Sequence, residues 1–149
     1  MLPKAHDSGH DGEKIMEVFN SFLLLCTEGI YSTVMNIRIM CARLTFMLVK
    51  LIPPRKMDLY LNEEVQAGIM NSTLHLLRTK VSTYRQLGIK LASLIMHINS
   101  EGSESIEKEM LKILSVEDNE QIRKLVITNL AITPGNLGEL LVRLRDKNP

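Results

Sequence analysis

The sequence predicts an all-α chain, an α-solenoid of about three and a half helix pairs, and three observations carry that expectation. One pattern occurs three times: VMNIRIMCARLTFM at residues 34–47, VSTYRQLGIKLASL at 81–94 and NEQIRKLVITNLAI at 119–132. In each, an arginine follows a large side chain (Ile37-Arg38, Tyr84-Arg85, Ile122-Arg123). A bulky residue stands two places later (Met40, Leu87, Leu125), and Cys41, Gly88 or Val126, none of them large, comes next. The apolar series then continues at helical spacing, through Leu44 and Met47, Leu91 and Leu94, Leu130 and Ile132. Composition agrees. Apolar residues make up 45% of the chain, with nine Met, three Phe, three Tyr and no Trp, which suits helix-on-helix packing and suits a β-sandwich poorly.

From Arg38 to Arg85 the step is 47 residues, and from Arg85 to Arg123 it is 38. Two-helix HEAT or armadillo units repeat every 40 to 47 residues or so, and the steps fall at and just below that range. A chain of 149 residues would bury roughly 70% of its unfolded surface as one compact domain, and less as a solenoid whose units touch only their neighbours.

Taken in order, residues 1–12 hold Pro3, Gly9 and Gly12 without periodicity and are expected to form a disordered tail. His6 and His10 with Asp7 and Asp11 would suit a metal on a helix, but the two glycines argue for a polar tail. Residues 13–26 open with acid and continue Ile15, Met16, Phe19, Phe22, Leu23 and Cys26, a helix with one apolar stripe, ended around Gly29. Ser32 or Thr33 caps the next helix, which runs to Ile52 and stops at Pro53-Pro54; residues 55–61 are a linker with room for one loose turn. Asn62 caps a helix reaching about Arg78, with Glu63 and Glu64 complementing its dipole and Val65, Ile69, Met70, Leu74 and Leu77 as its stripe. Ser82 or Thr83 starts the partner helix through Ile98, and residues 99–103 form the loop between units.

The third unit opens at Ser103, where Glu104 and Glu107 supply early acid and Ile106, Met110, Ile113 and Leu114 the stripe. A turn at 116–119 leads to a second helix at 120–132, so the units span about 13–54, 62–98 and 103–132 within a repeat domain of 13–149. Past Thr133-Pro134-Gly135, Asn136 caps a last helix bearing Leu137, Leu140, Leu141 and Leu144. Asp146-Lys147-Asn148-Pro149 has the form of the turn that joins two helices inside a HEAT unit. A half unit at 133–149 is thus expected to leave its leucine face partly uncovered.

Net charge is +1, but its distribution is uneven: −3 over residues 1–31, +6 over 32–98 and −2 over 99–149. A basic middle between acidic flanks points mildly to an anionic partner, against the plain alternative of ordinary solvated helix faces. Cys26 and Cys41 lie in apolar helical runs and read as buried free thiols of a reducing compartment. His6, Asp7, His10 and Asp11 stand where a signal peptide would need an apolar core. The most apolar stretch, residues 37–52, is broken by Arg38, Arg43 and Lys50, too short for the ~20 apolar residues of a membrane span.

Ser, His and Asp all occur, yet with no strand–turn–helix setting for a nucleophile and no glycine-rich phosphate loop. The chain is therefore not expected to be an enzyme, and no cofactor, metal or small-molecule substrate is implied. Arg38, Arg85 and Arg123 read as structural, bonding turn carbonyls or acids in a ladder along the stack. An acid six residues upstream would be the partner; Glu117 fits, whereas Ser32 and Thr79 do not. Arg43 and Lys90 each follow the repeat arginine by five residues, and Lys50 returns to nearly the face of Arg43. With Arg78 and Lys80 they would make a basic track for duplex phosphates rather than base edges, and scarce aromatics disfavour single strands.

From about Phe19 onward the order of motifs resembles the HEAT-repeat G subunit of condensin, subunit 3 of that complex. The runs that carry it are FNSFLLLC, NIRIMCARLTFMLVKLIP, YRQLGIKLASLI and, most strongly, SVEDNEQIRKLVITNLAITPGNLGELLVRLRDKNP. Asp118, Asn119, Ile122, Arg123, Lys124, Val126, Ile127, Asn129 and Leu130, then Leu144-Arg145-Asp146, match that family's helix and closing turn. The resemblance implies a non-enzymatic scaffold of the nucleus and chromosome, with cytoplasmic residence also open. It would bind a kleisin subunit within an SMC complex and grip duplex DNA without sequence preference during mitotic condensation. It also implies a fragment, since members of the family are several times longer, and it maps none of their DNA contacts residue by residue. The rival within the fold is another HEAT or armadillo adaptor of cohesin, transport or phosphatase-scaffold type.

Overall fold

A computed structural model describes residues 8–96, 100–130, 137–138 and 141–142, with the backbone alone at 8–10, 100 and 101. The chain is all-α, with no strand among the described residues. Its helices are α1 (Ser8–Gly29), α2 (Met35–Lys50), the short α3 (Met57–Tyr60), α4 (Glu63–Leu77), α5 (Ser82–Ile95), α6 (Ser100–Val116) and α7 (Glu120–Asn129). Packed helices in this order are compatible with an α-solenoid, although α1 and α6 begin at Ser8 and Ser100, ahead of the unit starts at 13 and 103 read from the repeat. Two compact units form, Met1–Ile69 and Met70–Pro149, and the division falls within α4.

The repeat arginine has one place in all three second helices. Val34, Val81 and Asn119 are the N-caps of α2, α5 and α7, each four residues before it. The amides of Arg38, Arg85 and Arg123 bond those three cap carbonyls at 3.0, 3.2 and 3.1 Å. Each arginine therefore closes the first turn of its helix. Only Asn119 caps with its side chain, accepting from the Gln121 and Ile122 amides. Neither Ser32 nor Thr33 caps α2, and neither Ser82 nor Thr83 caps α5: the cap falls on a valine that makes no side-chain bond. Ser32 Oγ instead accepts from the Val34 amide, tightening the turn ahead of the helix.

Position three past the arginine is small for a packing reason. A Cβ on Gly88 would stand 3.0 Å from both Leu76 Cβ and the Leu77 amide nitrogen, so α5 meets the end of α4 backbone to backbone. In the first unit the contact is reversed: Cys41 Sγ sits where a Cβ of Gly29 would be. Gly29 does not end α1 through a left-handed cap, as its place near the helix end suggested; no described glycine has positive φ. It lets α2 approach closely.

In the first unit Leu23, Cys26, Ile30, Ala42, Val49, Met57, Leu61, Val65 and Ile69 form the core. The single turn α3 falls within residues 55–61, and that segment also adds to the core, since Met57 and Leu61 are 3% and 2% exposed. A buried amide fixes that turn. Asn20 donates to the Met16 and Tyr60 carbonyls at 2.8 Å and accepts from the Asn62 amide at 2.9 Å. Asn62 in turn caps α4, accepting from the Val65 amide at 2.9 Å. In the second unit α5 packs on α6 and α7, and α6 on α7. Leu91, Ala92, Ile95, Ile106, Met110, Leu114, Ile122 and Val126 are all inaccessible there.

Several expectations shift. The N-terminal helix begins at Ser8, inside the stretch read as tail, because glycines at 9 and 12 cost a forming helix about 1 kcal/mol each, less than a long helix recovers by propagation. Helix α6 starts at Ser100, so residues read as loop belong to it. The bulky repeat position lies off the core: Met40 is 53% exposed, and Leu87 and Leu125 are half-buried. Helix α1 carries two apolar stripes rather than one. Leu23 and Cys26 are buried, whereas Ile15 and Phe22, counted with them from the sequence, are 54% and 46% exposed.

Candidate functional site

In the second unit the turns between paired helices are strapped by the repeat arginines. Arg85 Nη1 donates to the carbonyls of Thr79 and Lys80 at 3.1 and 2.6 Å. Arg123 Nη1 does the same at the next turn of that unit, between α6 and α7, to Glu117 and Asp118 at 2.7 and 2.9 Å. Both reach six and five residues back, so the guanidinium satisfies carbonyls that leave the preceding helix without intrahelical partners. Glu117 joins the straps. Its Oε2 accepts from Arg85 Nε at 2.8 Å and lies 2.6 Å from Nη2, while Oε1 accepts from the Asn119 amide at 3.1 Å. The pair is well shielded, with side chains 16% and 9% exposed. The acid predicted as partner of Arg123 thus gives that arginine its carbonyl and gives Arg85 its carboxylate. In the first unit Arg38 occupies the equivalent position, half-buried.

A groove of about 770 Å³ runs along these turns, lined among others by Arg78, Lys80, Arg85, Glu109, Lys112, Glu117 and Asp118. Its charges interleave. Glu109 accepts from Arg78 Nε at 3.0 Å and from Lys112 Nζ at 3.3 Å. Of the five cations read as a basic track, Arg78 is therefore engaged, and a phosphate would compete with Glu109 for it. Lys80 is exposed at the groove's edge and Lys90 is exposed on α5.

Arg43 and Lys50 belong to the first unit, both exposed on α2. They do not stand in a polar field. Arg43 shares a shallow groove with Ile39, Met40, Leu44 and Met47, and the Lys50 ammonium lies 5.6 Å from the centre of the Phe46 ring. Met40, Met47 and Leu51 are 53%, 61% and 76% exposed. A cation bordering an apolar stripe contacts an amphipathic surface as readily as a phosphate.

Leu137 and Leu141 are 43% and 57% exposed; Leu140 and Leu144 lie outside the described residues. His6, Asp7 and His97 lie outside them too, and the side chain of His10 is not described. Among the described residues no group of three or more His, Cys, Asp or Glu could hold a metal, and no helix is long and apolar enough to cross a membrane. Burial, and secondarily the neighbouring Cys41, raises the Cys26 thiol above its ordinary pKa. Comparison with protein-family models, with curated proteins and with solved structures returns no match.

Sequence reasoning missed the Asn20 clamp and the apolar outer face of α1 and α2. The face had a legible signal in Ile15, Val18, Phe22 and Leu25, spaced 3, 4 and 3 residues apart on a helix whose core needs Leu23, Cys26 and Ile30. The clamp had none, since nothing marks one asparagine as the partner of a turn 40 residues away.

Proposed function

We propose that the chain is a non-enzymatic HEAT-type scaffold, similar in role to the condensin G subunit, that engages a kleisin-like partner and duplex DNA at chromosomes. The observation that supports the scaffold reading is the shared place of Arg38, Arg85 and Arg123 at the first turn of α2, α5 and α7. Arg85 and Arg123 also strap their turns in the same way, and a side chain that recurs at one place in successive helix pairs marks a repeating unit, of the kind that builds extended surfaces. The DNA reading rests on the resemblance and on the excess of cations over residues 32–98. Lys80, Lys90, Arg43 and Lys50 are exposed and carry it, with Arg78 contributing less while Glu109 holds it.

The test is duplex binding followed by fluorescence anisotropy across a salt series. Four phosphate contacts imply a slope of log affinity against log salt of about −3.6, and a Kd of roughly 10⁻⁴–10⁻⁶ M typical of non-specific binding. Arg43→Glu with Lys90→Glu should remove it, while Lys108→Glu with Lys124→Glu, at two exposed lysines outside the groove, should not. A slope near zero would eliminate the DNA reading, and equal losses from both pairs would reduce it to diffuse charge.

A second reading is favoured by one observation, the apolar surface beside Arg43 and Lys50. A protein–protein adaptor of the HEAT or armadillo class would use that surface, and its binding would change little with salt.

A further inference from the structure

The α1/α2 hairpin of the first unit has two apolar sides. One is the core. On the other, α1 presents Ile15, Val18, Phe22 and Leu25, which are 54%, 69%, 46% and 64% exposed. Their spacing of 3, 4 and 3 places them on one stripe, the pattern of a helix built to meet another helix. Helix α2 presents Met40, Leu44, Met47 and Leu51 at spacings of 4, 3 and 4, again one stripe.

The two stripes lie on the same side of the hairpin. Ile15 and Leu51 line a common apolar groove at one end, and at the other end Cys41 Sγ rests on Gly29. These contacts set α1 and α2 side by side and antiparallel, with Leu23 and Val49 turned to the core and both stripes turned away from it. Seven clearly exposed apolar side chains supply the apolar centre for an interface of standard size, in which each partner buries roughly 800 Å².

Charge selects what covers this face. Over α1 the described acids Asp11, Glu13, Glu17 and Glu28 outnumber Lys14, a net −3, while α2 carries the exposed Arg43 and Lys50, the half-buried Arg38 and no acid. A partner of a single sign would suit one helix and be repelled by the other. A second copy suits both. A twofold axis parallel to the helices lays α1 of each copy antiparallel over α2 of the other, the acidic helix against the basic one twice. The alternative twofold, α1 on α1 and α2 on α2, sets like charges together.

We propose that this chain forms an isologous dimer through the α1/α2 outer face, with α1 of each copy packed on α2 of the other. The stripes supply the attraction and the charges set the register. This goes beyond the scaffold reading and does not depend on it. In the dimer, the Glu17 end of α1 lies beside the Lys50 end of the opposing α2. The level of Ile15 beside Leu51 within one copy fixes that register. Arg43 then borders a protein interface.

The test is sedimentation velocity of the whole chain over about 1–100 μM, the range of weak to moderate association. Glu17→Lys with Glu28→Lys makes both helices basic, and Arg43→Glu with Lys50→Glu makes both acidic. Each double variant alone should raise the dimer Kd by about tenfold or more, and an equimolar mixture should restore a dimer containing one copy of each. Far-ultraviolet circular dichroism checks that each variant keeps the wild-type helix content. Val18→Glu with Met47→Glu should abolish association outright, in the mixture as well. A wild-type chain that stays monomeric throughout the range overturns the proposal and leaves the face to another protein. Dimers that survive both charge reversals, or a mixture that restores nothing, overturn the geometry. DNA binding is read separately, by anisotropy, so failure of either idea leaves the other standing.

Discussion

Single residues divide here into those that strap turns and those that decorate helices. Glu117 is the clearest of the first kind, because its carboxylate is shielded and serves both Arg85 and the Asn119 amide. Glu117→Ala strands a shielded guanidinium and should cost about 3 kcal/mol, the scale of breaking one side of a buried pair. Glu104→Ala, which removes an exposed i,i+4 pair with Lys108, should cost less than about 0.5 kcal/mol. Urea midpoints for the two variants measure the difference, and equal values would mean the strap is ornamental. The Cys26 thiol gives a second check. Its folded pKa is raised, so the native state holds the proton after the unfolded chain has released it. Stability from this group is complete below the ordinary thiol pKa of the unfolded chain and is lost as pH rises beyond it. Denaturation curves at neutral and alkaline pH should diverge for the wild type, and Cys26→Ala should remove that share of the divergence.

At the scale of helices, two glycines carry the close approach of paired elements. Gly88→Ala would push a Cβ to 3.0 Å from a backbone nitrogen of Leu77, which cannot step aside, and should destabilise by about 1–3 kcal/mol. Gly29→Ala meets chiefly Cys41 Sγ, the end of a side chain that can rotate, and should cost less. Gly12→Ala meets nothing within 4 Å in α1 and should be neutral or stabilising by up to about 1 kcal/mol. Melting temperatures in that order would support the packing; a harmless Gly88→Ala would refute it. The same residues explain what the sequence could tell. Helices were legible because stripes and repeat arginines are periodic, and the small residue three places past each arginine was visible as a pattern. Its purpose was not, because backbone approach has no sequence signature apart from size. A helix with apolar residues on two sides gives no sign of which side the neighbour takes, so Ile15 and Phe22 were counted with Leu23. The cations of the candidate track were legible as charges, but the pairing of Arg78 with Glu109, 31 residues on, depends on how α6 packs beside the end of α4.

For the chain as a whole, the division at Ile69 and Met70 falls within a continuous helix, and that has consequences for how stability is shared. Ile69 is inaccessible and Met70 is 7% exposed, so α4 is packed on both sides of the boundary. Loosening the second unit removes the packing that holds the later turns of α4 but leaves Val65 and Ile69 in the core of the first. Leu91 tests this, being inaccessible on α5, the helix that packs on both α6 and α7. Leu91→Ala should cost about 2–5 kcal/mol, with most of the loss felt within its own unit. Hydrogen exchange read by mass spectrometry should then show faster exchange through α5, α6, α7 and the later turns of α4. Amides of α1 and α2 around Leu23, Ile30 and Val49 should change far less. This graded response is what nearest-neighbour coupling of helical repeats requires. Uniform acceleration from α1 to α7 would mean the chain opens as one cooperative body, and the separate units would then have no energetic meaning.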